Sequence, residues 1–237
     1  MDIVYVVAPE EENESLRYSL RSLIHFPHDR VFIVGDAPDW VQNVVFIKGN
    51  HFSERKYLNS TNNLLLAAKN KSLSDDFSYW NDDMYAIAEV ADVNEIPVVH
   101  LGNIMGVITR YKSKSRTKYY KGMVSTYAFL KNLGIDPIFS YEAHTPMTLN
   151  KEKFLEVIAF QRQKAPEIEA IHKRTLYGNF YKIGGETIVD PKIALSYTND
   201  LSRIHGGLFG SSNDESFRGF FGDYLRYRFP KKSIYEK

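Results

Sequence analysis

The sequence predicts an α/β protein built on a mostly parallel sheet with helices on both faces. Two observations carry this reading. Short, continuous apolar runs rich in β-branched residues recur through the first half, and amphipathic stretches of helical period separate them. Strands and helices alternating at that pitch stack parallel strands through crossover helices. Ligands of such sheets sit at the carboxyl ends of the strands, so candidate chemistry is sought there.

Taken in order, Ile3 to Val7 reads as a buried strand. Glu14 to His25 reads as a helix, with Asn13 as its cap and Leu16, Leu20, Leu23 and Ile24 on one face. Val31 to Val34, closed by Gly35-Asp36-Ala37-Pro38, is the second strand, and Val44 to Ile47 the third. Helix is expected from near Asn62 to Lys71, and Phe77 to Trp80 supplies a fourth strand. Beyond it come a helix at Met123 to Leu133, a turn at Gly134 to Pro137 and a short strand at Ile138 to Tyr141. Lys151 to Gln163 is helical, Leu176 to Asp190 is glycine-punctuated and irregular, and Phe217 to Arg228 closes the chain as an amphipathic helix. With no internal repeat or low-complexity linker, residues 1–237 are expected to form a single domain.

Composition narrows the function. The 43% hydrophobic content of 237 residues is enough for a substantial core. Thirty Lys and Arg against 29 Asp and Glu leave a net charge of +1, which does not announce a nucleic-acid or anionic-membrane binder, so any such role must come from a local patch. The absence of cysteine removes disulfides, thiolate nucleophiles and thiolate zinc sites together. No run approaches the roughly 20 apolar residues that span a bilayer, and Met1 to Tyr5 lacks the features of a secretory signal. A soluble, cytoplasmic protein is the expectation.

The chemistry-bearing motif is Asn81-Asp82-Asp83, an amide and two adjacent carboxylates at the mouth of the fourth strand. Mg²⁺ or Mn²⁺ takes oxygen ligands and bridges one or two protein carboxylates to substrate phosphates. The competing reading is an ordinary turn or helix cap, which uses the same residue types. A second feature is RYKSKSRTKYYK, residues 110–121, with six cations, three tyrosines and no acid. It reads either as a solvated loop or as a basic lid or acceptor platform over residues 106–122, in which Arg110, Lys112, Lys114 and Arg116 meet an anionic acceptor.

Several segments together resemble a known family. Asn13 to Leu23, Val31 to Val34, Pro38-Asp39-Trp40, Leu58-Asn59-Ser60, and Leu73 to Phe77 running into Trp80-Asn81-Asp82-Asp83-Met84 look like the second conserved block of the Stealth proteins. These are nucleotide-sugar-dependent hexose-1-phosphate transferases. His144-Thr145-Pro146 with His172-Lys173-Arg174 resembles the third block; Ser212-Asn213-Asp214 and Phe229 to Lys237 resemble the fourth. The first block departs, since Ile3 to Glu10 lacks the family's tryptophan and aspartate. In its shortness the chain is similar to compact phage-encoded proteins described as glycosyltransferases.

The resemblance implies a GT-A-like fold, a nucleotide-sugar donor, and a divalent metal, Mn or Mg, on the diphosphate. Asp83 and Asp82 would hold that metal, with Asp82 also counted as catalytic, and Asn81 would shape the turn. His144 would be the general base for the acceptor hydroxyl and Arg174 a guanidinium on the phosphate in transfer. Asp214 ranks below these, being equally a helix N-terminal acid. Arg17 and Arg21, four apart on one helical face, would reach donor phosphates unless ion pairs with Glu10 to Glu14 engage them, while Asn59 and Asn63 would touch the nucleotide or sugar. The implied acceptor is a hydroxyl on a glycan, cell-wall polymer, protein or modified DNA. Transfer of the sugar and transfer of the sugar 1-phosphate both stand, and a glycan- or nucleic-acid-binding protein without catalysis is the reading from another class.

Overall fold

The computed structural model describes residues 1–49, 56–195 and 199–237. Its centre is a five-stranded sheet of β1 (Asp2–Val7), β2 (Val31–Gly35), β3 (Val45–Lys48), β4 (Asp76–Trp80) and β7 (Met147–Asn150), in the order β3-β2-β1-β4-β7. The first four strands run parallel, in register Val4↔Phe32 and Val4↔Tyr79, and β7 closes the edge antiparallel to β4. Small two-stranded ladders join β5 (Met84–Ala86) to β9 (Phe209–Ser211) and β6 (Val99–His100) to β8 (Glu186–Thr187).

The helices are α1 (Glu14–Ser22), α2 (Lys56–Lys69), α3 (Ile104–Arg110), α4 (Lys118–Asn132), α5 (Lys151–Lys164), α6 (Lys173–Phe180), α7 (Asp214–Arg218) and α8 (Phe220–Arg228). They cover both faces. On one side, α2, α4, α5 and α6 bury Leu64, Leu130, Phe154 and Leu176 against Val4, Phe32 and Phe77. On the other, Leu16 and Leu20 of α1 pack with Ile3, Tyr5, Ile33 and Trp80. Strands buried on both faces explain why each reads as an unbroken apolar run. The mostly parallel sheet is as expected.

Local readings differ in instructive places. Ile24 is 82% exposed, because the chain tightens to a 3₁₀ turn at Leu23–His25 and rotates it off the apolar face. Ile138 to Tyr141 is not a strand; its carbonyls accept from Leu101 and Ile104 at the start of α3 instead. The edge strand is β7, which runs without a loop into α5 and so carries no turn signal of its own. The stretch read as irregular begins inside α6, where Gly178 marks a contact rather than a break: a Cβ there would lie 2.5 Å from the Tyr141 ring. Gly219 does break the closing helix, into α7 and α8.

Candidate active site

The acid pair sits where the sheet ends. Trp80, fully buried at the last position of β4, is boxed by edge-on contacts with Phe26 and Phe209. The chain then turns through Asn81-Asp82-Asp83, closed by Met84 N–H donating to the Asn81 carbonyl, and β5 is held by Ser19 Oγ donating to the Met84 carbonyl. Asn13 works twice. Its Oδ1 caps α1 by accepting from Leu16 N–H, and its Nδ2 donates to Asp82 Oδ2 at 2.9 Å. Holding both contacts requires Asn13 at φ 33°, a left-handed backbone that asparagine tolerates better than most residues.

Burial, and after it the charge of Asp83, pushes the Asp82 carboxyl up to about 6, with the Asn13 amide opposing. Asp83 is neutralised on one side only. Its Oδ2 meets Lys192 Nζ at 3.0 Å, while its Oδ1 is buried without a hydrogen-bond partner. An acid pair with a raised carboxyl and an orphaned oxygen is short of positive charge, which fits a divalent cation. Among the described residues no three His, Asp or Glu side chains converge. A cation here would take its remaining oxygens from a diphosphate and water, as Mg²⁺ characteristically does.

His144 is the second centre. Its backbone N–H and Nδ1 both bind the Asp190 carboxylate, at 3.1 and 2.9 Å. That pairing assigns the Nδ1 proton and leaves the Nε2 lone pair to accept another. Burial works to raise Asp190, but the hydrogen bonds from His144 outweigh it and hold the carboxyl below its ordinary range. Two residues on, Lys192 grips Asp83. The Asp190-Pro191-Lys192 segment thus clasps the base to the acid pair from one short extended stretch. Neither end of it was read from the sequence, although an acid following Ile188-Val189 repeats the pattern that drew attention to Asp82.

Arg174 is 4% exposed. Its Nη1 donates to the Ala143 and Thr145 carbonyls, at 2.9 and 2.8 Å, and Nη2 lies 3.8 Å from the Met84 sulfur. The guanidinium stacks 4.7 Å over Tyr79. Its donors are directed to the protein, so in this geometry it fixes the loop around His144 to β5 rather than holding a phosphate. Beside it, Glu142 is kept ionised against its burial by the charges of His172, Arg174 and Lys173, and accepts from Thr175 N–H.

The expected donor residues divide. Arg21 makes a two-pronged ion pair with Glu236 at 2.8 Å. Arg17 shares that carboxylate at 3.4 Å, lies 3.9 Å from Glu12 and stacks over Trp40. Both tie α1 to the last residues of the chain. Asn63 is buried against Gly35 and Gly49, where an added Cβ would lie 3.1 and 2.7 Å from its amide atoms. The ends of β2 and β3 are thereby floored by backbone. Asn59 is half-buried on the same helix, and Asp214 is exposed in the first turn of α7 behind an Asn213 capping box.

Residues 106–122 fold as the rest of α3, a 3₁₀ turn at Lys112–Lys114 and the start of α4, capped by Thr117. Lys112, Lys114 and Arg116 are exposed, and Arg110 donates to the Leu101 carbonyl. The tyrosines turn inward. Tyr119 lies 5.9 Å from Tyr111, 6.5 Å from Tyr57 and 4.6 Å from the His172 ring, measured between centroids.

No family model and no curated protein matches this chain. Its fold is nonetheless shared with solved glycosyltransferases. It is similar to the galactosyltransferase LgtC in complex with donor and acceptor sugar analogues, with a TM-score of 0.58 at 10% identity over 100% of this chain and 98% of that one. It is similar to the bifunctional glycosyltransferase WbbM, TM-score 0.58 at 12% identity, over 98% of this chain and 50% of that one. The third is the glycosyltransferase GlyE of Streptococcus pneumoniae, TM-score 0.52 at 10% identity, covering 98% and 60%. The chain has a GT-A-like glycosyltransferase fold. Among the described residues no helix is long and apolar enough to cross a membrane.

Proposed function

We propose that this protein transfers a sugar, or a sugar 1-phosphate, from a nucleotide-sugar donor to an acceptor hydroxyl. The observation that carries the reading is the clasp at residues 190–192, which joins His144 to Asp83 at the strand ends of a glycosyltransferase-like fold. A pure binding protein has no need of a carboxylate-oriented imidazole fastened to an acid pair.

In this reading the nucleoside lies over the backbone floor at Gly35 and Gly49, near Asn59 and Asn63, and the diphosphate over Asp82 and Asp83. Asp83 and Asp82 would hold the divalent metal, Mg or Mn, which would neutralise charge on the phosphates. Lys192 adds a cation that can release Asp83 for the bound donor. His144 Nε2 takes the proton of the acceptor hydroxyl, while Asp190 steadies the imidazole and the charge it gains. In sugar transfer the acceptor oxygen bonds the anomeric carbon, the bond from that carbon to the diphosphate breaks, and a nucleoside diphosphate leaves. Arg174 acts through His144, by keeping the two flanking carbonyls in place.

Glycosyl transfer is ranked first because the solved proteins of this fold are glycosyltransferases and because Arg174 is turned to the protein rather than to a phosphate. Sugar 1-phosphate transfer, in the manner of the Stealth proteins, is the second reading, favoured by the pairing of His144 with the acid pair. There the acceptor oxygen bonds the phosphorus next to the sugar, the bond from that phosphorus to the oxygen bridging the two phosphates breaks, and a nucleoside monophosphate leaves. Incubation with a panel of nucleotide sugars and Mn²⁺, followed by mass identification of the nucleotide released, separates the two. Release of neither product, together with no binding of any donor, overturns the proposal.

A further inference from the structure

Residues 229–237 build a groove that the proposed transfer leaves unused. The closing helix α8 stops at Arg228, ahead of Pro230, and the chain then returns along α1. Three contacts hold this wall in place: Arg21 pairs with Glu236, Glu236 accepts from Ser233 N–H, and the Tyr235 hydroxyl shares a hydrogen bond with His28. Between the wall and the 3₁₀ turn at Leu23–His25 lies a cavity of about 560 Å³. Its floor is apolar, made by Leu20, Leu23 and Phe229, with the His25 ring edge-on to Phe229 at 5.6 Å. Two aliphatic side chains stand out at its rim, Ile24 at 82% exposure and Ile234 at 69%. Arg228, Lys231 and Lys232 are exposed around them, and no carboxylate lines the cavity.

We infer that this groove and its rim dock the protein on an anionic phospholipid bilayer. The surface combines two features that a bilayer interface satisfies together. Protruding aliphatic side chains enter the boundary between headgroups and acyl chains, and lysine and arginine meet lipid phosphates. A nucleic-acid backbone satisfies the cations but leaves Ile24 and Ile234 in water. An acidic helix seated in the cleft covers the floor but not two isoleucines that project beyond it. The placement also leaves the candidate active site open: Asn13, at the start of α1, binds Asp82, whereas Leu20 and Leu23, at its other end, belong to the groove. The inference stands independently of the transferase reading.

The test is co-sedimentation of the intact protein with vesicles of phosphatidylcholine alone and of phosphatidylcholine mixed with phosphatidylglycerol. We expect binding to the mixed vesicles only, reversed by high salt. It should fall about fivefold or more in Ile24→Ser with Ile234→Ser, and again in Arg228→Ser with Lys231→Ser. All four side chains are exposed, so both double variants should melt at the native temperature. Lys112→Ser with Lys114→Ser and Arg116→Ser, which removes exposed cations from another part of the surface, should bind vesicles as the native protein does. No sedimentation with the mixed vesicles, equal sedimentation with the neutral ones, or native binding in both double variants overturns the inference. Loss of binding in the 112/114/116 variant with binding kept in the other two also overturns it, by moving the contact to that segment. So does a dimer in sedimentation velocity that Ile24→Ser with Ile234→Ser dissociates, because the rim would then belong to a second copy of the chain.

Discussion

Lys192 Nζ lies 3.0 Å from Asp83 Oδ2, while the other oxygen of that carboxylate is buried and without a partner. One oxygen of the carboxylate is paired by the protein and the other is not. In the proposed reading Lys192 would compete with a divalent metal for Asp83 and would stand beside the donor's diphosphate. Lys192→Met should tighten Mn²⁺ binding several-fold in calorimetric titration while slowing donor turnover. Equal Mn²⁺ affinity in the two proteins would show that the lysine and the metal do not share this oxygen.

Asp82 gives a prediction in pH. A carboxyl raised from 3.8 to about 6 in the folded protein binds more protons there than in the unfolded chain across that interval. Stability therefore falls as pH climbs through the window and levels above it. Asp82→Asn should raise the unfolding free energy at pH 7 by about 1–3 kcal/mol, measured in urea, with the gain shrinking towards pH 4. The same variant should lose Mn²⁺-dependent donor binding. In the native protein Mn²⁺ affinity should drop as pH falls below about 6, because the proton and the metal contend for one carboxyl.

His144→Ala should lower turnover by about two to four orders of magnitude, the usual contribution of general acid–base catalysis, with donor affinity unchanged. Asp190→Asn should also cut kcat and leave KM for the donor nearly alone, since it removes the orientation and charge support of the imidazole rather than a donor contact. Normal turnover in the His144 variant would return the pair to a structural role.

Removing Arg174 should act through the fold first. Arg174→Met leaves the Ala143 and Thr145 carbonyls without their donor in a buried site, at a cost of about 2–4 kcal/mol by urea unfolding. Unchanged stability with a large rise in KM for the donor would instead assign the guanidinium to a substrate phosphate.

Replacing Lys112, Lys114 and Arg116 by serine should leave the melting temperature and donor binding close to native values, because exposed charges contribute little. Adding Arg110→Ser should bring a small further loss through its bond to the Leu101 carbonyl. If the acceptor is neutral, the quadruple variant also transfers normally at low and high salt. A salt-sensitive loss of acceptor would favour an anionic polymer held by the outer, cationic side.

The sequence by itself determined the four parallel strands and the place of the acid pair, but not the antiparallel edge strand β7. Short unbroken apolar runs rich in β-branched residues, such as Val31 to Val34, read as strands buried on both faces, and Asp82 lies two residues beyond the end of one of them, so local pattern and tertiary position coincide. Asn13 was equally legible as a cap, because capping is satisfied within four residues. What the tertiary structure alone decided was who partners whom. Arg17 and Arg21 lie in α1 beside Glu12 and Glu14 in the sequence, yet it is Glu236, more than two hundred positions away, that accepts from both. Asp190 meets His144 across 46 residues and Lys192 meets Asp83 across 109. Side-chain charge and periodicity specify what a residue can bind; only chain folding brings the complementary group within three ångströms, and no local pattern encodes that distance.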